Sequence, residues 1–522
     1  MKTQTVLALH PVDLAIMVVF LLVMVGIGIF FSKRTKTTEG YFLGDHSAPS
    51  WVLGLSMIAA KISSVTFLAL PAAAFALDWR LFVPNLSIIP VAVVAIWILV
   101  PFFRKAAQTT AFEYLNARFG AGARLYGAII FLLGQALRLG AVIYLVTIPI
   151  EMFTGFPPWV IMLVVGLFCT TYTIVGGLQA VIWTDAIQAI ILYLGGIAAL
   201  IVMVIDIPGG LPEIFRTAMD NNKFSFGPMR WDFGERTFWT MLIIGLLSWI
   251  NQYTSDQVLI QRYLAAKDLR QARMAGAASA FLCLPTWAFF FMLGTALFVY
   301  YKFVSDPQVS SLPADSVFPH FILTRMPHGL SGLVIAGVLS AAMGSLSAAL
   351  NAFGTVATVD LVRPYLLKGK SDRLYTVIAK SLTGFAALLM LAIGWAFSAT
   401  NKESYLDLSH QILGLIGGVV PCFFVLGFFA GRVDKRIVWQ AFLVASIVNA
   451  YLLLAQFKVI SPLFGWSVHP YWVSTLVALV MVIVAVILSK IQSQRTVVRS
   501  ELTIYGSRAF GKLQMDMSGK DV

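Results

Sequence analysis

Thirteen apolar runs constrain this chain more than any other feature: 11–32, 50–77, 81–103, 123–153, 158–176, 184–206, 237–265, 274–301, 329–362, 374–398, 407–430, 437–456 and 470–490. A membrane-spanning helix needs about 20 predominantly apolar residues. Hydrocarbon offers the backbone no partner outside the chain, and a helix pairs every group internally. The expected fold is therefore all-α and integral to a membrane, with about thirteen transmembrane helices. Composition agrees. Some 59% of residues are hydrophobic and 12% charged, where soluble domains carry about a quarter charged. Met1 to Pro11 hold neither a basic n-region nor a cleavage site, so the first run reads as a helix rather than a signal peptide.

The net charge of +13 does not point to nucleic acid, because the basic residues sit in loops between apolar runs. Every second loop is basic: Lys33, Arg34 and Lys36; then Arg104, Lys105, Arg118 and Arg124; then Arg262, Lys267, Arg270 and Arg273; then Arg363, Lys368, Lys370 and Arg373; then Arg432, Lys435 and Arg436. Basic loops face the cytoplasm, so the N-terminus is expected outside and the tail inside. Cys169, Cys283 and Cys422 all lie in apolar runs, with no disulfide or metal spacing. The six histidines show no ligand spacing, and no nucleophile–base set or phosphate loop appears, so an enzyme is not expected.

Polar residues at mid-membrane depth narrow the function. Asp185 stands inside an apolar run, as do Lys61, Ser63, Ser64, Thr66, Arg138, Ser345 and Ser347. A charge in hydrocarbon costs roughly 2.5–3.5 kcal/mol on insertion scales and usually faces a cavity or a partner, so this set points to a solute or ion pathway. Spans two to six and seven to eleven form two groups of five, and an odd-numbered group places its second copy upside down. In that plan the first helix of each group breaks near the midplane. Lys61 to Thr66 interrupt the second span, and Asn251 to Gln257 interrupt the seventh. The expected segmentation is 1–49, an extra helix and first inner loop; 50–206, the first repeat; 207–236, an outer loop; 237–430, the second repeat; 431–490, two further helices; and 491–522, a cytoplasmic tail.

Arg138 bears on the substrate. A guanidinium is always charged, and its planar fork fits a carboxylate with two parallel hydrogen bonds. The only acid on its own helix, Glu151, is thirteen residues away, about 20 Å along a helix, so the two cannot pair. The competing reading has Arg138 capping carbonyls of the broken helices or pairing with an acid of another helix.

Three stretches carry a resemblance: Tyr172 to Gln188 (YTIVGGLQAVIWTDAIQ), Asp256 to Lys267 (DQVLIQRYLAAK) and Ala341 to Asn351 (AAMGSLSAALN). On these the chain resembles the sodium:solute symporters over about residues 10–450, and within them the bacterial sialic-acid transporters. The latter likeness rests on Ser63-Ser64-Val65-Thr66-Phe67, Asp78-Trp79 and Arg138. It implies a LeuT-type five-plus-five inverted repeat with alternating access in the inner membrane of a bacterium. It also implies substrate contacts from Ser63, Thr66 and Arg138, with Asn85 where those transporters carry glutamine. Asn251 and Tyr253, from the second polar break, complete the expected substrate set.

By the same resemblance sodium is the coupling ion. Its ligands would be the carbonyls of Ala59, Ile62 and Ala341 and hydroxyls at 344 and 345. Residue 344 is glycine here, so Ser345 remains and one ligand is missing, a place a water can fill. A second site would use Asp185 and Ser347, but Gly344 and Ala348 lack the oxygens that other relatives supply, so at most one sodium per cycle is expected. The motif residues Asp256, Gln257, Gln261 and Arg262 read as a structural network near the inner end of their helix. Lys61 stands between two implied carbonyl ligands. It either points away, toward the cytoplasmic half or Asp185, or replaces the cation and makes the protein a proton symporter or uniporter.

The leading expectation is secondary active import of an acidic sugar such as N-acetylneuraminate, coupled to sodium. Beside it stand a sodium- or proton-coupled carrier of a neutral sugar, polyol or inositol, and a non-transporting solute sensor, for which the short tail leaves no signalling domain. The expected partners are the solute and membrane lipid, with no nucleic acid, and the chain is read as a monomer.

Overall fold

The computed structural model describes residues 10–32, 37–106, 109–232, 235–399, 419–456, 460–461, 470–492 and 502–505. Its elements are helices: α1 Pro11–Ser32, α2 Ser50–Ala59, α3 Ser64–Ala76, α4 Trp79–Arg104, α5 Ala121–Thr154, α6 Pro158–Asp206, α7 Phe238–Ser255, α8 Gln257–Ala265, α9 Leu269–Phe303, α10 Leu330–Leu366, α11 Asp372–Ser398, α12 Val420–Phe429, α13 Lys435–Gln456 and α14 Pro470–Ile491. Among the described residues nine helices are long and apolar enough to cross a membrane. The eleventh expected span, 407–430, is represented by α12; its residues 407–418 lie outside the described residues, as does most of the tail.

Both expected breaks are present, each with a local cause. At the end of α2 the N–H groups of Lys61 and Ile62 both donate to Ile58 O (2.9 and 3.0 Å), tightening the last turn. Ser63 then turns extended (φ −129°, ψ 178°) and forms a capping box with Thr66 that starts α3. Between α7 and α8 the break is the single residue Asp256 (φ −80°, ψ 105°), whose carboxylate accepts from Val258 N at 2.9 Å.

The two expected spans 158–176 and 184–206 are the arms of one helix, α6, bent at Gly177 (φ 61°, ψ −160°). Only glycine fits that conformation at low cost, and a Cβ there would stand 2.9 Å from the Tyr41 ring. The bend is sharp. Gln188 Nε2 reaches Tyr172 Oη at 3.4 Å across sixteen residues, which a straight helix would hold about 24 Å apart. α10 lies at the centre, with nearly all of its apolar stretch buried, and packs along α6, α5, α1 and α11. A further helix, Ala314–Arg325, packs on α3; no apolar run marks it in the sequence.

Candidate functional site

The capping box that separates α2 from α3 also frees oxygens. In a continuous helix the N–H of Ser63 would close onto Ala59 O and that of Thr66 onto Ile62 O. Instead Ser63 N donates to Thr66 Oγ1 (3.4 Å), and Thr66 N turns to the Ser63 side chain. The two carbonyls left over, Ala59 and Ile62, are the pair that the resemblance assigns to sodium. α10 faces them. A Cβ built on Gly344 would lie 3.4 Å from Ala59 O. The neighbouring Ser345 hydroxyl, 2% exposed, donates to Ala342 O (3.0 Å), which keeps its lone pairs available. Ala59, Ala341 and Ser345 thus come from the helices expected to hold the ion.

Asp185 has a different neighbourhood. Its Oδ2 accepts from Arg262 Nη2 (2.8 Å) and from the Ser56 hydroxyl (2.6 Å), and its Oδ1 accepts from Ser347 (3.2 Å). Arg262 Nε donates to Ser56 Oγ (2.8 Å) and its Nη1 to Val258 O (2.7 Å). Both charged side chains are fully buried. A guanidinium therefore stands where a second sodium would have to bind, beside the two expected ligands Asp185 and Ser347. Gln261 and Gln257 extend the structural network: Gln261 Nε2 donates to Phe42 O (2.7 Å) and Asn351 Oδ1 (3.0 Å), and Gln257 pairs with Ala111 N and Thr109 O.

Lys61 turns away from these clusters. Its Nζ donates to Ser279 Oγ (3.2 Å) and Tyr253 Oη (3.4 Å) and lies 4.9 Å from the Tyr253 ring centre. Asp185 is not its partner. The phenol of Tyr253 is thereby engaged, and that residue is fully buried.

A cavity of about 390 Å³ lies alongside, between α5 and α7. Arg138, Gln135, Ser248, Trp249, Asn251, Gln252, Ser255 and Asp256 line it, and Phe112, Phe131 and Val420 bound it toward the side of the short helix Ala111–Phe119. Arg138 and Asn251 of the expected substrate set are brought together here; Ser63, Thr66, Asn85 and Tyr253 do not line this cavity. Ser63 and Thr66 are engaged with each other, and Asn85 sits in the irregular start of α4. Asp256, read from sequence as structural, faces the cavity. Arg138 gives one donor to Ala60 O (3.1 Å), at the break itself.

A cluster of rings packs between the start of α4 and α9. Trp79 contacts Phe82, Phe224 and Phe291, and its indole N–H donates to Thr295 (3.0 Å). Here Lys223, from the segment between α6 and α7, caps α3 by donating to Phe75 O (2.7 Å) and Leu77 O (2.8 Å). Burial, with Lys302 nearby, lowers its ammonium to about 8.

A helical bundle with two broken helices around a polar midplane is the architecture of a secondary transporter. The profile of the Sodium:solute symporter family matches residues 41–444, and the chain belongs to that family. It is 32% identical over 425 residues to the sodium/sialic acid symporter SiaT of Proteus mirabilis, spanning 81% of this chain and 86% of that protein. It is 30% identical over 416 residues to the sodium/sialic acid symporter NanT of Aliivibrio fischeri, spanning 79% and 82%. A solved substrate-bound, outward-open Na+-coupled sialic acid symporter aligns with TM-score 0.83 at 29% identity, covering 92% of this chain and 98% of that one. The fold is thus the LeuT-type inverted repeat, and the chain is a multi-pass membrane transporter rather than an enzyme.

Two contacts close to the site were not anticipated from the sequence, one made by Arg262, read there as part of a structural network, and one by Gln188, which carried no role. Arg262 is Asp185's partner from 77 positions away, and Gln188 lies next to Gly344. The one signal for Gln188 was its place three residues after Asp185, on the same helix face.

Proposed function

We propose that this protein imports a carboxylated sugar, N-acetylneuraminate or a close analogue, across the bacterial inner membrane, driven by one sodium ion per cycle. The observation that carries the proposal is Arg138, a guanidinium at mid-helix depth lining a largely apolar cavity with amide and hydroxyl neighbours. A cavity of this size suits a small ligand. Remaining Arg138 donors would take the substrate carboxylate, while Asn251, Gln252 and Ser248 offer hydrogen bonds to hydroxyls and the Trp249 ring offers a flat apolar face. Sodium is carried as co-substrate at Ala59, Ile62, Ala341 and Ser345. Its position at the same break that Arg138 grips through Ala60 gives a physical route for coupling: the ion orders the break, and the break orders the arginine. The N-terminus lies outside, the tail inside, and one chain holds the whole pathway, so a monomer suffices.

Purified protein in liposomes tests this. Labelled N-acetylneuraminate should accumulate with an inward sodium gradient and not without it, and Arg138→Ala should abolish that uptake. Uptake of equal rate in both gradients, or in the variant, would remove the proposal. A second reading has support in the Arg138–Ala60 bond: an arginine that braces the break, with a neutral sugar or polyol as substrate. It requires N-acetylneuraminate to be ignored while a neutral solute accumulates with sodium.

A further inference from the structure

His10, Asp13 and His328 each bring one ligand atom, an imidazole nitrogen or a carboxylate oxygen, to within 4.8 Å of the other two. Among the described residues no other three histidine, cysteine or acidic side chains meet in this way. The spacing of the histidines in the sequence does not show the set, because the second imidazole arrives from a different helix. The set is also remote from the sodium cluster: Leu330 and Ala341 of α10 are eleven residues apart, about 16 Å along the helix. We propose that His10, Asp13 and His328 bind a transition-metal ion of the zinc class, which staples the start of α1 to the start of α10. The inference is independent of the transport reading.

Local structure holds the donors in place. His10 and Asp13 share one face of the first turn of α1, where Asp13 N donates to His10 O (2.9 Å). Asp13 is 2% exposed, and its Oδ1 accepts from Gly329 N (2.7 Å) and Gly332 N (2.8 Å), capping α10. Its other oxygen, Oδ2, lies 3.7 Å from His328 Nδ1. The His10 ring is held by a bond from Val12 N to its Nδ1 (3.3 Å). The two imidazoles stack, with centroids 4.2 Å apart and planes 17° from parallel. One carboxylate needs one imidazolium as counter-ion, and a second charged ring against the first would be repelled. Two imidazoles and a carboxylate around one point are instead a donor set for zinc, with a fourth place left to water. Calcium and magnesium want about six or more oxygens, so they do not suit it. Ligand atoms of a tetrahedral zinc stand roughly 3.3 Å apart, so the set must draw together. The His328 side chain, 69% exposed, has room to turn. The ion would lock a contact rather than close a path: a Cβ on Gly332 would stand 2.7 Å from Asp13 Cα, so α1 and α10 already touch backbone to backbone.

The test is a zinc titration of the untagged, full-length protein in detergent, read by calorimetry and by thermal melting. Wild type should take zinc at one saturable site, and zinc should raise its melting temperature; calcium and magnesium should do neither. His10→Ala and His328→Ala should each weaken zinc roughly tenfold or more, as loss of one of three ligands does, and abolish the zinc-dependent rise. Cobalt as a probe should give the visible absorption of a four-coordinate ion in wild type and not in either variant. The histidines are substituted because Asp13 also caps α10. Neither ring touches the sodium cluster or the cavity of Arg138, so without added metal both variants should transport as wild type does, which shows that they have folded. His328→Gln, which also removes the imidazole, replaces His328→Ala if that variant does not fold. No zinc binding by wild type at millimolar concentration, or a zinc affinity unchanged in either histidine variant, overturns the assignment.

Discussion

Two layers of α2, α6 and α10, one helical turn apart, meet the problem of buried polarity in opposite ways. In the layer of Ser56, Asp185 and Ser347 a full negative charge is balanced by a built-in cation, Arg262, and four hydrogen bonds tie the four side chains together, one of them directly from Arg262 to Asp185. In the layer of Ala59, Gln188, Gly344 and Ser345 every member is neutral. The capping box leaves carbonyl oxygens whose donors have been sent elsewhere. A carboxylate deep in a membrane protein needs a permanent partner, since the uncompensated charge is costly. Neutral oxygens hold a cation only while one is present. The difference separates a rigid fastener from an exchangeable site, although both use the same helices.

The largest expected effect comes from breaking the fastener. Arg262→Ala leaves Asp185 buried and unpaired, which costs about 3–5 kcal/mol; the detergent-solubilised variant should unfold far below wild type in a thermal melt, or fail to accumulate. A melt within about 1 kcal/mol of wild type would erase the distinction between the layers. Next is Ser345→Ala in the exchangeable layer. It should weaken sodium roughly tenfold in uptake titrations while leaving the sodium-free melt in place; a lost fold with intact sodium affinity would reverse the roles assigned here. Thr66→Val acts one step back, on the capping box that frees Ala59 and Ile62. A loss of about 1 kcal/mol in stability should come with a sodium affinity a few-fold weaker, and stability alone changing would detach the box from the ion. The smallest effect belongs to Lys61→Gln, because the ammonium faces Ser279 and Tyr253 rather than either layer. Uptake should stay sodium-dependent in this variant; wild-type uptake that needs no sodium and vanishes in Lys61→Gln would make the lysine the coupling group.

Much of this arrangement is legible in the sequence, for physical reasons. Polar runs such as Lys61 to Thr66 and Asn251 to Gln257 stand out in apolar helices, and a helix in lipid breaks only where its freed groups find partners. The positions of both breaks and the depth of Arg138 follow from local composition. What remains hidden is contact between distant helices. Asp185 announces itself as costly, yet nothing local says that Arg262 rather than Lys61 or an ion compensates it. Ser63 and Thr66 carry hydroxyls suited to a sugar, but the φ/ψ turn at Ser63 commits them to each other. The single bent helix α6 reads as two spans because Gly177, one of a glycine pair with Gly176, sits in a run too long for one crossing. Gln188 is invisible until the space beside Gly344 is seen.

The most direct measurement of the account is the ratio of sodium to substrate carried, from parallel initial fluxes of labelled sodium and labelled N-acetylneuraminate into the same proteoliposomes under the same gradient. With Arg262 filling one layer and only the neutral layer open to an ion, the ratio should be one. A ratio of two would mean that Asp185 releases its arginine and accepts a sodium during the cycle, contradicting the division between a fixed and an exchangeable cation.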